Sequence, residues 1–159
     1  LIPTLHNNVT GEETVGLASS SDQVNFYNYP GNPVLDHADP VFRDPDVFWH
    51  AATDRWVMLV ARSAVQKVLI YTSPDLKAWT FASEFGPLGA REEFWECPVL
   101  YQVPVRGGQT ASKWVLCVSA GTNKVQYFPG SFNGTTFTPD SATTGYLNNG
   151  AGIDGTVFA

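Results

Sequence analysis

Hydrophobic positions along the chain fall in short runs of strand length rather than at helical spacing. The runs are Val47-Phe48-Trp49 and residues 55–61, 67–72, 99–103, 113–119 and 124–128. They are rich in β-branched and aromatic residues and are bounded by Gly, Pro, Asn and Asp. Short runs separated by turn residues predict strands and an all-β fold. The longest apolar stretches, 57–61 and 114–118, fall far below the ~18 residues that a membrane-spanning helix needs.

The pattern repeats. Ser20-Ser21-Asp22-Gln23-Val24-Asn25-Phe26 has the form Ser-x-Asp-x-x-x-aromatic. Ser73-Pro74-Asp75-Leu76-Lys77-Ala78-Trp79 has the same form, and Ser131-Phe132-Asn133-Gly134-Thr135-Thr136-Phe137 matches it with Asn for Asp. Such a segment predicts a Ser/Asp-stabilised turn, then an aromatic that buries itself as the next strand begins. A second series runs alongside. Asp44-Pro45-Asp46-Val47-Phe48-Trp49 aligns with Glu96-Cys97-Pro98-Val99-Leu100-Tyr101, and then with Asp154-Gly155-Thr156-Val157-Phe158-Ala159. Each copy opens with a carboxylate and runs into an apolar strand. The period of about 52–58 residues holds four strands, the size of a β-propeller blade. The 159 residues then hold just under three blades. A carboxylate at the start of each blade's first strand would point into the axial funnel, so several acids would meet there.

Composition narrows the function. Nine basic against fifteen acidic residues give a net charge of −6, and no basic cluster exists to neutralise phosphates, which argues against nucleic acid. Cys97 and Cys117 are too few for a disulfide framework and read as half-buried thiols. His6, His37 and His50 lack metal-ligand spacing and read as structural or solvent residues, with His50 at the surface. The sequence has no Gly-rich phosphate loop, no His-Glu-x-x-His and no Ser nucleophile elbow. The sequons at Asn8 and Asn133, with the low Lys content, lean towards a secreted and, in a eukaryote, glycosylated protein. The chain starts at Leu1 and stops in the apolar Val157-Phe158-Ala159, so it reads as an internal piece of a larger protein.

Two acids in an aromatic-rich pocket suit glycoside hydrolysis, in which one carboxyl must be protonated and another ionised. Glu96 lies in Phe94-Trp95-Glu96-Cys97-Pro98, where apolar neighbours favour its protonated form. Asp44 follows Arg43, whose guanidinium favours an ionised carboxylate. Trp95 and Phe94 offer apolar faces to a sugar ring. Asp46 shares a strand face with Asp44 and reads as a solvated strand-edge acid.

These residues carry a family resemblance. Phe42-Arg43-Asp44-Pro45 resembles the Arg-Asp-Pro motif of glycoside hydrolase family 32, and Trp95-Glu96-Cys97-Pro98 resembles its Glu-Cys motif. Gly31-Asn32-Pro33-Val34-Leu35 before the first motif, residues 71–79 between the two, and Gln126-Tyr127-Phe128, residues 130–134 and Phe137 after them are similar to the family's connecting text. The similarity spans roughly residues 15–138.

The resemblance implies a five-bladed β-propeller, followed in the family by a β-sandwich that this chain does not include. It implies hydrolysis of terminal β-D-fructofuranosides of sucrose, inulin or levan, with retention and with no metal or organic cofactor. It makes Glu96 the acid/base and Asp44 the transition-state stabiliser. Arg43 and Cys97 stand beside them, and Arg43, Trp95 and Asp154 are candidate substrate contacts. The family's nucleophile lies in an Asn-Asp-Pro-Asn-Gly motif. Asn7-Asn8-Val9-Thr10-Gly11 does not match it, so the nucleophile is expected outside these residues and the piece alone is expected to be inactive. Two other readings stay open: a non-catalytic carbohydrate-binding propeller, and an inverting five-bladed propeller glycosidase acting on arabinose-containing glycans. Oligomeric state and substrate preference are not legible.

Overall fold

The computed structural model describes residues 1–91, 93–105, 112–121, 124–142 and 145–148, with backbone alone for 146–148. Its strands are β1 (Thr4–His6), β2 (Glu13–Val15), β3 (Ala18–Ser19), β4 (Tyr27–Asn28), β5 (Phe42–His50), β6 (Arg55–Arg62), β7 (Lys67–Ser73), β8 (Thr80–Phe85), β9 (Trp95–Pro104), β10 (Ser112–Ala120), β11 (Lys124–Phe132), β12 (Phe137–Pro139) and β13 (Gly145–Asn148). Among the described residues the helical content is one 3-10 turn, Ser63–Val65. The predicted all-β class holds.

Two four-stranded antiparallel paths form the body, β5-β6-β7-β8 and β9-β10-β11-β12, with β13 also paired to β11. β1-β2 and β3-β4 are two-stranded. Each body sheet runs in sequence order from its first strand, the inner edge where β5 and β9 contact each other, to its last. Residues 154–159, where a further copy was expected, lie outside the described residues.

The middle strand β6 shows why the hydrophobic run is unbroken. Val57, Met58, Leu59, Val60 and Ala61 are all fully buried. A strand covered on both faces has no solvent side to keep polar. Alternation then sends neighbours into different cores. Val57 and Leu59 join Val68 and Ile70 against Trp95, Leu116 and Phe128 of the second sheet. Met58 and Val60 join Phe42, Leu69 and Tyr71 against Val15, Val34 and Leu35. One sheet therefore cements the units before and after it.

The three Ser-x-Asp turns behave alike. Asp22 Oδ1 accepts from the N–H groups of Val24 and Asn25, and Asp75 Oδ1 from those of Lys77 and Ala78. Asn133 Oδ1 does the same for Thr135 and Thr136. In each turn the next residue is left-handed: Gln23 at φ 62°, Leu76 at φ 66° and Gly134 at φ 97°. These backbone bonds hold the Asp22 and Asp75 carboxyls below their ordinary range. The aromatic that follows is buried at Phe137 but half exposed at Phe26.

His50 departs from expectation. It is buried, with Nδ1 2.8 Å from Thr53 Oγ1 and its ring against Trp114 and Phe132. It ends β5 where the second sheet covers it, so its strand-end position did not mean exposure.

Candidate active site

The inner edge strands β5 and β9 carry matching irregularities. The β5–β6 register slips between Arg43 and Asp46, and the β10–β9 register slips where Cys117 and Ser119 face Val99 and Glu96. Each slip contains a left-handed non-glycine residue followed by proline: Asp44 at φ 58° before Pro45, and Cys97 at φ 48° before Pro98. A bulge of this kind re-aims side chains at a strand end. It also corrects the repeat alignment. Asp44 corresponds to Cys97, and Arg43 to Glu96, one residue away from the acid-to-acid match read in the sequence.

The two bulges meet. The Cys97 N–H donates to Asp44 Oδ2 at 3.0 Å, and the Cys97 Sγ lies 3.8 Å from the same oxygen. On the other side, the Asp44 N–H donates to Thr4 Oγ1 of β1 at 3.0 Å. Asp44 is thus held at its backbone and at one carboxylate oxygen. Arg43 reaches sideways, with Nη1 3.4 Å from Glu96 Oε1 and Nε 3.2 Å from Glu13 Oε2. Glu96 is 38% exposed at its side chain, whereas Glu13 is 12% exposed. Glu96 is therefore not enclosed by apolar neighbours and opens to solvent.

The Cys97 thiol is pushed up to about 11, first by burial and then by the Asp44 and Glu96 carboxylates. It stays a neutral thiol across the physiological range. Cys117 is buried, with its Sγ 3.5 Å from the Tyr101 hydroxyl. Both cysteines are free.

Sequence reasoning is corrected at two further residues. Trp95, offered as a sugar platform, is fully buried; its ring packs with Phe85 and Phe128, and its Nε1 donates to Ala90 O at 2.7 Å. Alternation along β9 sends Trp95 into the core and its neighbour Glu96 to the opposite face. Phe94 is the exposed aromatic of this segment. Asp46, expected to be solvated, is half-buried and accepts a long 3.4 Å bond from the Leu100 N–H of β9. Burial raises its carboxyl above the ordinary range. Asp154 lies outside the described residues.

Glu13 and Thr4 were not singled out. No local motif marks them, because both act through contacts to residues about 30–40 positions away in the chain. The structure brings Thr4, Glu13, Arg43, Asp44, Glu96 and Cys97 together from four strands. Among the described residues, no group of three or more His, Cys, Asp and Glu side chains forms a metal-binding cluster. What the group offers is one solvent-facing carboxyl beside a guanidinium, and one carboxylate held through its Oδ2.

Comparison with known proteins bears on the same residues. The model of the glycosyl hydrolases family 32 N-terminal domain matches residues 3–158. Levanase of Bacillus subtilis (strain 168) is 43% identical over 136 residues, covering 80% of this chain and 20% of the relative. The extracellular exo-inulinase of Aspergillus niger is 45% identical over 113 residues, covering 64% of this chain and 20% of the relative. The structure of fructofuranosidase from Schwanniomyces occidentalis complexed with fructose superposes with a TM-score of 0.85 at 36% identity, over 94% of this chain and 30% of that one. The chain thus spans about a fifth of these curated relatives' length. The match over nearly every residue, on a fold of the same propeller type, places the chain in glycosyl hydrolase family 32, within the family's N-terminal domain.

Proposed function

We propose that residues 1–159 form part of the catalytic five-bladed propeller of a secreted β-fructofuranosidase, which cleaves terminal β-D-fructofuranosyl residues of sucrose or fructans with retention. The observation that carries this reading is the meeting of the two bulges, where Arg43 faces Glu96 and the Cys97 N–H holds Asp44. Relatives that are a levanase, an exo-inulinase and a fructofuranosidase support the substrate class. The extracellular inulinase and the exposed sequon residues Asn8 and Asn133 support secretion.

In this mechanism Glu96 protonates the oxygen leaving the fructosyl carbon. Its partial exposure lets it reach both the leaving group and, in the second step, the attacking water. Asp44 accepts from fructosyl hydroxyls through Oδ1, while Oδ2 is committed to Cys97. Those bonds strengthen as the ring gains oxocarbenium character. The Arg43 guanidinium orients the acid. Retention further requires a carboxylate nucleophile, which the family resemblance places in an Asn-Asp-Pro-Asn-Gly motif that these residues do not contain. The 159 residues alone are therefore expected to be inactive.

The test is the Glu96→Gln variant of the full-length gene product. Loss of general acid catalysis is expected to lower sucrose turnover by about 10²–10⁴-fold. An aryl β-D-fructofuranoside, whose leaving group needs no proton, should retain far more activity and be accelerated by azide, giving the fructosyl azide of retained configuration. Unchanged sucrose turnover in Glu96→Gln, or an inverted product, overturns the reading. Full-length protein that binds fructose but turns over no fructoside supports the binding-propeller alternative instead.

A further inference from the structure

We infer that Glu13 is a positioning residue for acid catalysis: its enclosed carboxyl holds the Arg43 guanidinium, which in turn faces Glu96. The inference rests on the reading of Glu96 as the acid.

Glu13 lies on β2, outside both body sheets, yet its carboxylate is nearly enclosed and turned to the site. Its Oε2 is 3.2 Å from Arg43 Nε, and its Oε1 is 3.8 Å from Nδ1 of the half-exposed His6 on β1. Glu13 Oε2 and Arg43 Nε are both buried and lack the alignment of a hydrogen bond, so their attraction is chiefly Coulombic. Arg43 Nη1 points the other way, to Glu96. One guanidinium is therefore shared between two carboxyls, an enclosed one and a solvent-facing one. Among the described residues, the other titratable groups at the site are Asp44 on β5 and Cys97 on β9, joined to each other through Asp44 Oδ2.

The charge balance explains the arrangement. A guanidinium stays positive at any working pH. With Glu96 as its only partner, it would favour the ionised form of Glu96, and an ionised carboxylate has no proton to give. Glu13 gives the guanidinium a second, enclosed carboxyl partner, so Glu96 is not its only one. Enclosure of Glu13 matters, because a solvated carboxylate would be screened and would offset less of the guanidinium field.

The experiment compares Glu13→Gln and Glu13→Asp with the unmodified full-length gene product. It reads kcat/KM against pH for sucrose and for an aryl β-D-fructofuranoside, with Glu96→Gln measured in parallel. In Glu13→Gln the alkaline limb for sucrose is expected to move about one pH unit lower, an about tenfold loss above the limb. The aryl substrate should stay within about twofold, because its leaving group does not call on the acid. Glu13→Asp, which keeps the charge, should leave the sucrose limb in place. A limb that does not move in Glu13→Gln, or an equal loss on both substrates, overturns the inference. Should Glu13→Gln fail to fold, Glu13→Ala replaces it: a lowered alkaline limb for sucrose with the aryl substrate kept supports the inference, and an unmoved limb overturns it. If Glu96→Gln itself does not separate the two substrates, the acid assignment falls and this inference with it. If Glu96→Gln separates them and Glu13→Gln does not, this inference alone is overturned.

Discussion

The Cys97 N–H donates to Asp44 Oδ2 at 3.0 Å, so the bulge of one sheet is capped by the carboxylate of the equivalent bulge in the sheet before it. The two residues occupy the same place in successive units, yet one presents an acid and the other a thiol and an amide. The repeat has diverged where the units touch. That contact, with the Leu100 N–H on Asp46, joins the inner edge strands without a backbone ladder between them.

The thiol in this contact should be chemically quiet. With the group pushed up to about 11, only about 10⁻³ of it is thiolate at pH 8, against roughly a quarter for an ordinary cysteine. Iodoacetamide should therefore alkylate Cys97 some hundreds of times more slowly than a free thiol in the folded protein. Asp44→Asn removes one of the charges that oppose the thiolate and should speed the reaction. Peptide mass spectrometry over a labelling time course distinguishes Cys97 from the buried Cys117. Labelling of Cys97 at the rate of free cysteine contradicts this environment.

Asp46 should weaken the fold at neutral pH. Its carboxyl is raised by burial, so the folded state binds the proton more tightly than the unfolded state does. The stability from the protonated form is fully present below the unfolded value near 3.9. It is lost as pH rises through the higher folded value. Asp46→Asn keeps an acceptor for the Leu100 N–H without a charge. Urea midpoints for the full-length protein should show the variant at least as stable as the parent at pH 7, with the relative gain shrinking towards pH 4. A variant less stable at pH 7 than at pH 4, relative to the parent, argues for an ionised Asp46 that the fold uses.

Gly134 should resist substitution more than its counterparts. At φ 97° it is further from the left-handed well than Gln23 or Leu76, and an added Cβ would lie 2.6 Å from Thr53 Cγ2 and 2.9 Å from His50 Nδ1. The left-handed backbone alone costs an alanine about 1–2 kcal/mol, and the clash with buried His50 adds to it. Thermal denaturation of Gly134→Ala should show the loss. A melting temperature equal to the parent's would mean that the turn relaxes at little cost.

Much of this was readable in one dimension. Residues 55–61, 67–72, 113–119 and 124–128 lie within observed strands, and the Ser-x-Asp turns close as their side chains require. Asp44 and Glu96 stood out as acids opening repeated units, Arg43 and Cys97 through the family resemblance of their motifs, and the four meet in space. The acid-to-acid alignment was one residue out because Asp44 and Glu96 share chemistry, while the proline that follows each bulge was the better anchor. Trp95 and His50 were misplaced because aromatic residues suit a sugar site, a surface and a core equally well in a linear pattern. Their burial depends on Phe85, Phe128 and Phe132, which other strands bring to them.

By itself the sequence determined what is local. Short β-branched and aromatic runs between turn residues make strands, and a side chain that bonds N–H groups two and three residues ahead makes turns wherever it occurs. Only the tertiary structure decided which oxygen of Asp44 is occupied, which way Glu96 faces, and that Glu13 shares Arg43 with it. Those relations join residues from different strands across two bulges. A bulge shifts the alternation by one residue, so the facing of each side chain near it follows from how the sheets pack rather than from the order of residues.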